Sequence, residues 1–263
     1  MATAVSVRFG EMSREQIRAC APEATLVIPV AAVEQHGPDL PVTVDVLACE
    51  AVAYAAAMLA AREIAVTVAP IVAYGYSPHH LPYPGVLSLQ AETLLSILRD
   101  LGESAYASGF RRVFYLNGHG GNDEIIRLAA REISNRHAML GGAASYWTLA
   151  LGALRQRSDT HGMPIPGHAG DFEAALIAAL RPDLIRHDQL APPKGATSAL
   201  SLPPDVPIFA QPDQSMQRIG GYTDRSGAPS AALGQTMLTV VQQEVARALV
   251  AFHRAWPPAA SAE

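Results

Sequence analysis

The sequence predicts an α/β protein, a three-layer α/β/α sandwich with a largely parallel central sheet. Runs of strand length that are rich in β-branched residues alternate along the chain with helix-forming stretches, and this alternation is typical of a parallel sheet covered on both faces. The chain has 263 residues, of which 49% are hydrophobic and 16% are charged. A single large core is feasible at this length, and we expect some apolar surface to be hidden between subunits.

The elements follow one another in a regular order. Ser13 and Gln16 have capping-box spacing and predict a short first helix. The predicted strands are residues 25–30, 64–75, 112–116 and 143–147. The later predicted helices are residues 46–62, 91–108 with Gly109 as the C′ residue, 123–137, 171–180 and 231–255. We therefore expect one domain over residues 1–256 and a disordered tail over residues 257–263.

Charge, cysteine content and hydropathy exclude several classes of function. The formal net charge is −5 and no stripe of Lys and Arg is present, so nucleic acid is not an expected partner. No signal peptide is apparent and the apolar runs are too short to span a bilayer, so we expect a cytoplasmic protein without membrane contact. Cys20 and Cys49 form no CxxC pair, so any metal must be held by histidines and carboxylates.

The segment VEQHGPDLPVTVD follows the first predicted strand and carries three candidate ligands. Glu34 and His36 are two residues apart and point to the same side of an extended backbone, while Pro38 and Pro41 restrict the chain that brings Asp45 back. The alternative is an exposed Glu34, a hydrogen-bonded loop histidine and an Asp45 that caps the next helix.

Further candidates lie on the other loops at the carboxyl ends of strands, where ligands bind in open α/β sheets. His119 lies in the glycine-rich NGHGGN, whose spacing does not fit a phosphate-binding loop. His168 and Glu173 lie in HAGDFE, although Glu173 could instead be a carboxylate placed to favour the helix dipole. His79 and His80 could line a pocket. Together these side chains suit Zn²⁺, Mn²⁺ or Fe²⁺, and a shared carboxylate would permit two ions.

The motifs EQHGPDLP, NGHGGN and HAGDFE, in this order, closely resemble those of the creatininase (creatinine amidohydrolase) family over about residues 25–180. The resemblance implies an α/β/α sandwich, often hexameric, with a binuclear metal site that hydrolyses C–N bonds in small cyclic amides or formamides. It therefore implies two divalent ions per chain, with Zn²⁺ favoured over Mn²⁺ and Fe²⁺. It also implies a small-molecule substrate and a homo-oligomer, for which a hexamer is one expected form.

The resemblance also assigns roles to the metal ligands. Glu34, Asp45 and His119 resemble ligands of one ion, and His36 and Asp45 resemble ligands of the second, with Asp45 bridging. Glu173 is the candidate for the remaining ligand, because creatinine hydrolases have an acidic residue where this chain has Gly121. A second acidic position of those enzymes is Gly167 here, and both departures argue against creatinine as the substrate.

The remaining roles concern the substrate and the proton. The expected substrate-binding residues are Ser77, His80, Gly120 and Trp147, although Trp147 could equally be a core aromatic at the end of a strand. We hypothesise that a water held by the two ions attacks an amide carbonyl and that His168 donates a proton to the departing nitrogen. The alternatives are a family hydrolase acting on a peptide-derived product or a cyclic ketone, and a catalytically silent metal-binding or ligand-sensing protein.

Overall fold

A computed structural model describes residues 6–200 and 209–256, and the expected tail at residues 257–263 lies outside them. Its sheet has four parallel strands in the order β2-β1-β3-β4. The strands are β1 (Thr25–Val30), β2 (Val66–Val68), β3 (Arg112–Asn117) and β4 (Leu140–Ser145). The parallel sheet confirms the predicted fold class.

Helices connect and cover the strands. They are α1 (Arg14–Cys20), α2 (Val44–Ala60), α3 (Ala91–Ala107), α4 (Asp123–Arg136), α5 (Tyr146–Arg155), α6 (Asp171–Leu180), α7 (Ser215–Arg218) and α8 (Ala231–Arg254). The capping box predicted at Ser13 and Gln16 is present at the start of α1. None of the described helices is long and apolar enough to cross a membrane.

The three layers arise from the alternation of side chains along the strands. In β3, Val113 and Tyr115 pack into one core with α3 and α4, whereas Phe114 and Leu116 pack into the other with α2 and α8. Successive side chains of a strand point to opposite faces, so a strand that is buried on both faces reads as a continuous apolar run. Both cores are therefore anchored on the same short strands.

Two strand predictions were wrong in extent. The run at residues 64–75 forms a strand only at Val66–Val68, followed by a single bridge from Val72 to Val30, because Pro70 lacks the amide hydrogen that a ladder requires. The strand expected over residues 143–147 begins at Leu140 and ends at Ser145. Tyr146 and Trp147 instead open helix α5, so Trp147 does not lie at the end of a strand.

The loops that carry the candidate ligands emerge at one edge of the sheet. Val30 of β1 and Asn117 of β3 are paired at the carboxyl ends of these neighbouring strands, and Gly118 donates a backbone hydrogen bond to Val30. The loops after β1 and β3 are thus brought together by the sheet itself, and the candidate site lies where they meet.

Candidate metal centre

Asp45 occupies the first turn of helix α2 and lies between two candidate histidines. The helix begins at Val44 and its N-cap position is Thr43, so the alternative of Asp45 as the N-cap was wrong. One carboxylate oxygen of Asp45, Oδ1, lies 3.3 Å from His36 Nε2, and the other, Oδ2, lies 3.1 Å from His119 Nδ1. A single buried carboxylate therefore faces both halves of the site.

His36 has one ring nitrogen fixed and one directed at carboxylates. Its Nδ1 donates to the backbone oxygen of Glu34 at 3.1 Å, and its Nε2 faces Asp45 and, at 3.6 Å, Oε2 of Glu173. Burial lowers the pKa of His36, but the neighbouring carboxylates of Asp45 and Glu173 outweigh burial and raise it to about 9. In the absence of a cation, His36 thus holds a proton between the two carboxylates.

His119 and Glu34 form the other half of the site. His119 Nδ1 lies 3.3 Å from Oε1 of Glu34, and its Nε2 donates to the backbone oxygen of Tyr76 at 3.1 Å. Burial lowers the pKa of His119, but the charges of Glu34 and Asp45 outweigh it and raise that pKa well above its ordinary value. Glu34 is 1% exposed, so the alternative of a solvent-exposed carboxylate was wrong.

Glu173 lies in the first turn of helix α6 and is 5% exposed. Its Oε2 accepts a hydrogen bond from the backbone N–H of Ala169 at 2.6 Å and faces His36. Burial raises the pKa of Glu173 to about 7, with His36 opposing the rise and Asp45 adding to it. The sequence left open a ligand or a carboxylate favoured by the helix dipole, and the contact with His36 places Glu173 with the other candidate ligands.

His168 lies beside Glu34 and is hydrogen-bonded to Gln35. Its Nε2 is 2.9 Å from the backbone oxygen of Gln35, which can only accept, so Nε2 carries the hydrogen. The other nitrogen, Nδ1, is thereby left with a lone pair that faces Glu34 Oε1 at 3.6 Å. Burial lowers the pKa of His168 well below its ordinary value, and the charges of His36 and His80 add to the effect.

His80 and Ser77 contact ligand residues. His80 Nδ1 accepts from the side chain of Gln35 at 3.0 Å, so its Nε2 donates to Glu34 Oε1 at 3.2 Å. The hydroxyl of Ser77 lies 3.2 Å from His119 Nε2, on the side away from the carboxylates. His80 lines the cavity described below, whereas Ser77 is not among its described lining residues. These contacts suit residues that orient Glu34 and His119.

A cavity of about 550 Å³ opens onto the ligands. Gly120 and Trp147 are among its lining residues, and a Cβ at Gly120 would contact nothing within 4 Å. Trp147 is only 8% exposed and also packs into the core with α2 and α8, as the alternative of a core aromatic expected. Its far wall comes from two segments beyond helix α6, residues 197–200 and 209–219, and in the second segment the lining residues are 209–212, 215, 216 and 219. No Lys or Arg side chain is found among the described residues of the lining.

The arrangement suits metal ions. Three sets of side chains place ligand atoms within 4.8 Å of one another, and they are Glu34, His79 and His119; Glu34, His36 and His168; and His36, Asp45 and Glu173. Three buried atoms of the site, Glu34 Oε2, His36 Nε2 and Asp45 Oδ2, make no hydrogen bond of good geometry among the described residues, although His36 Nε2 lies 3.3 Å from Asp45 Oδ1 and Asp45 Oδ2 lies 3.1 Å from His119 Nδ1. Buried polar atoms without partners are costly, and a cation would satisfy all three.

Several residues have roles at the site that were not predicted from the sequence. His79, expected with His80 to line a pocket, also belongs to one of the candidate ligand sets. Gln35 joins two histidines, but a glutamine between two candidate ligands carries no signal of that role. Gly121 has a steric role, since a Cβ there would lie 2.2 Å from the backbone oxygen of Tyr76. An acidic side chain at this position is therefore incompatible with the loop as it is built.

The fold and the site together define an α/β protein with a buried cluster of histidines and carboxylates that can bind divalent metal ions. The sequence model of one family, described as creatininase: creatinine amidohydrolase, matches residues 10–249. The chain belongs to the creatininase family, as its motifs predicted.

Relatives and solved structures agree with this assignment. The creatinine amidohydrolase of Pseudomonas putida is 30% identical and covers 93% of this chain and 96% of its own. The mycofactocin precursor peptide peptidase of Mycobacterium ulcerans is 32% identical over 68% of this chain and 67% of its own. A crystal structure of creatinine amidohydrolase superposes with a TM-score of 0.77 at 28% identity, covering 97% of this chain and 99% of that one. A creatininase mutant of Zn-Zn type gives a TM-score of 0.76 at 28% identity, with 96% and 99% covered. The chain is accordingly a hydrolase that acts on carbon–nitrogen bonds.

Proposed function

We propose that the protein is a binuclear metal-dependent amidohydrolase that cleaves the C–N bond of an uncharged or cationic amide. The observation that supports two ions is the carboxylate of Asp45, whose two oxygens face different histidines. Bridging carboxylates of this kind hold pairs of ions about 3.5 to 4 Å apart in hydrolases. Zn²⁺ and Mn²⁺ are both plausible on chemical grounds, because the ligand set mixes imidazole with carboxylate.

The proposed ligand sets use the residues whose atoms lack partners. Glu34, Asp45 and His119 would hold one ion, and His36, Asp45 and Glu173 would hold the other. When bound, such ions supply Lewis acidity and make a water acidic enough to deprotonate near neutral pH. The hydrogen bonds from His36 Nδ1 to Glu34 O and from His119 Nε2 to Tyr76 O would fix the ring orientations for binding.

His168 is suited to move a proton. Its Nε2–H is committed to the backbone of Gln35, and its low pKa keeps Nδ1 unprotonated at neutral pH. The side chain would therefore first accept a proton from the attacking water at Nδ1 and then donate it to the departing amide nitrogen. From the sequence, His168 was expected only to donate a proton. A neutral imidazole must gain a proton before it can donate one, so the proposed role includes both steps.

The charge of the cavity supports an uncharged or cationic substrate. Glu34, Asp45, Glu173 and the rim residue Glu124 line it, without a described Lys or Arg. Residues 201–208, which the structure does not describe and which lie between the two wall segments in sequence, also contain no Lys or Arg. Away from the ions, whose own charge would attract an anion, a substrate carboxylate or phosphate would meet no cationic side chain from these residues, and its burial there would be costly.

A peptide-derived amide is the second candidate substrate, favoured by the size of the cavity. A volume of about 550 Å³ falls in the range of about 300 to 1,000 Å³ that holds drug-sized ligands. One relative of this chain carries the name of a precursor peptide peptidase. The small cyclic amide or formamide is the first candidate, supported by the creatinine amidohydrolase relative.

The experiment is a hydrolysis screen of metal-loaded protein after measurement of its metal content. The panel contains creatinine, hydantoins, lactams, formamides and short peptide amides, with neutral, cationic and anionic versions of the last. We expect two ions per chain and turnover of a neutral or cationic member. Fewer than two ions per chain would overturn the binuclear proposal, and two bound ions without hydrolysis of any member would favour a silent binding protein. A His168→Ala variant that binds two ions but does not turn over would support the proton-transfer role.

We also propose a homo-oligomer, with exposed apolar side chains as the supporting observation. Met58, Leu81 and Leu87 are 61%, 56% and 58% exposed, although isolated apolar side chains of this kind also occur on monomers. Light scattering coupled to size-exclusion chromatography measures the mass directly, and a mass of one chain, 27.8 kDa, would contradict the proposal.

A further inference from the structure

A buried ion pair lies beside the candidate metal centre and outside its ligand set. The side chains of Arg225 and Asp39 are 1% and 0% exposed, and Nη2 of the arginine lies 2.8 and 3.0 Å from the two carboxylate oxygens. Burial of two charges carries a desolvation cost that their mutual attraction often fails to recover. Stability alone is thus a weak explanation for the pair, and its further contacts indicate what else it does.

Arg225 also holds the turn that contacts Glu173. Its Nε donates to the backbone oxygen of Ala169 at 3.1 Å, and the N–H of the same Ala169 donates to Oε2 of Glu173 at 2.6 Å. Ala169 has a φ of +48°, a left-handed conformation that a residue with a Cβ rarely adopts without support from its surroundings. Arg225 supplies that support through the carbonyl oxygen of Ala169, and Glu173 is held by the N–H of the same residue.

The carboxylate end of the pair belongs to the loop of the first ligands. Asp39 follows His36 by three positions, and its backbone oxygen accepts a hydrogen bond from the backbone N–H of Arg186 at 2.9 Å. The guanidinium therefore joins the loop that presents His36 to the turn that orients Glu173. The two ligand atoms, His36 Nε2 and Glu173 Oε2, lie 3.6 Å apart.

We infer that Arg225 is a positioning residue that sets the separation of His36 and Glu173, and with it the affinity for the second ion. The inference rests on the ligand set of the proposed function. A guanidinium suits the role because its planar fork can bind a carboxylate and a carbonyl in different directions, which an ammonium on a flexible stem does less well. The ion held by Glu34 and His119 does not depend on this link, because neither residue contacts Ala169, Arg225 or Asp39 through a hydrogen bond in the described structure.

The test compares the two metal affinities in the full-length protein. Zn²⁺ is titrated against a chromophoric chelator into wild type, Arg225→Lys and the isosteric Asp39→Asn. We expect one of the two dissociation constants to rise about 10- to 100-fold, the range seen when residues that orient metal ligands are changed. The other constant should change less than about threefold, and this selectivity distinguishes positioning from a general loss of stability.

Arg112→Lys is the matched control. Arg112 is a second buried arginine, 0% exposed, and it donates to the backbone oxygens of Glu23, His253 and Trp256 at the opposite end of β3. Its replacement should lower the melting temperature without a selective change in either metal affinity. If Arg225→Lys does not fold, Asp39→Asn alone decides the outcome.

The outcomes separate this inference from the proposed function. A wild-type protein that binds fewer than two ions would overturn the binuclear proposal and the inference that rests on it. A wild type that binds two ions, with variants that lose both affinities equally or neither, would leave the proposed function intact and overturn the role of Arg225. Selective loss of the second ion in Arg225→Lys and Asp39→Asn, absent in Arg112→Lys, would support it.

Discussion

Metal binding should become stronger as the pH rises from 7 to 9, because an ion at His36 must displace a proton. The pKa of His36 is raised to about 9 by Asp45 and Glu173 against the effect of burial. At pH 7 this corresponds to about one unprotonated ring in a hundred, or about 3 kcal/mol to be overcome, since each pKa unit is worth about 1.4 kcal/mol. The apparent dissociation constant of this ion should therefore fall about tenfold per pH unit up to pH 9 and then level off.

The metal-free protein should show the opposite trend in stability. A histidine whose pKa is raised by folding contributes stability that is fully present below its unfolded value, about 6.5, and is lost as the pH rises through about 9. The melting temperature of the metal-free protein should thus decrease as the pH rises from about 6.5 to about 9. The melting temperature of the metal-loaded protein should decrease less, because an ion replaces the proton.

Isothermal titration with Zn²⁺ in two buffers of different ionisation enthalpy measures the protons released, and differential scanning fluorimetry follows the stability. His137→Ala serves as the control, because His137 pairs with Glu103 away from the site and should leave both trends unchanged. Binding that releases no proton at pH 7 and shows no dependence on pH would refute the reasoning.

Three substitutions test individual residues. His119→Ala should abolish turnover and remove about one ion per chain, as measured by plasma mass spectrometry, because its Nδ1 lies between two carboxylates; retained metal and activity would exclude it as a ligand. Glu173→Gln should lose one ion selectively, and an unchanged stoichiometry would return Glu173 to a helix-dipole role. Gly121→Glu should not create a creatinine hydrolase, because its Cβ would lie 2.6 Å from His119 Nε2. Instead its melting temperature should fall by several degrees, in line with an overpacking cost of about 1 to 3 kcal/mol, and a gain of creatinine turnover at unchanged stability would contradict this.

The sequence was most informative where one local pattern determined the outcome. The run TLVIPV is mostly apolar, and all six of its residues are buried because strand β1 is covered on both faces; such runs identify inner parallel strands without knowledge of their neighbours. Two of the loop ligands could likewise be proposed from a local pattern. Glu34 and His36 could be proposed because side chains two apart share a side in extended chain, and the structure indeed places both at the buried centre of the site.

What the sequence could not predict depends on contacts between distant segments. Gln35 joins two histidines, since its backbone oxygen accepts from His168, 133 positions away, and its side-chain amide donates to His80, 45 positions away. Arg225 meets Asp39 across 186 positions. No local pattern reports such pairs. The placement of Trp147 failed for a different reason, because the aromatic residues Tyr146 and Trp147 could continue the strand, whereas β4 ends at Ser145 and helix α5 begins at once.

The positions of the metal ligands and of the cavity wall along the sequence affect how the substrate range of such a protein can change. All of the proposed metal ligands lie between positions 34 and 173, whereas the far wall of the cavity is built from residues 197–200 and 209–219. The metal ligands and part of the cavity wall are thus encoded in separate stretches of sequence. An insertion, deletion or exchange within the later stretch can reshape the cavity while every ligand keeps its place, so new substrates can be acquired without rebuilding the catalytic apparatus.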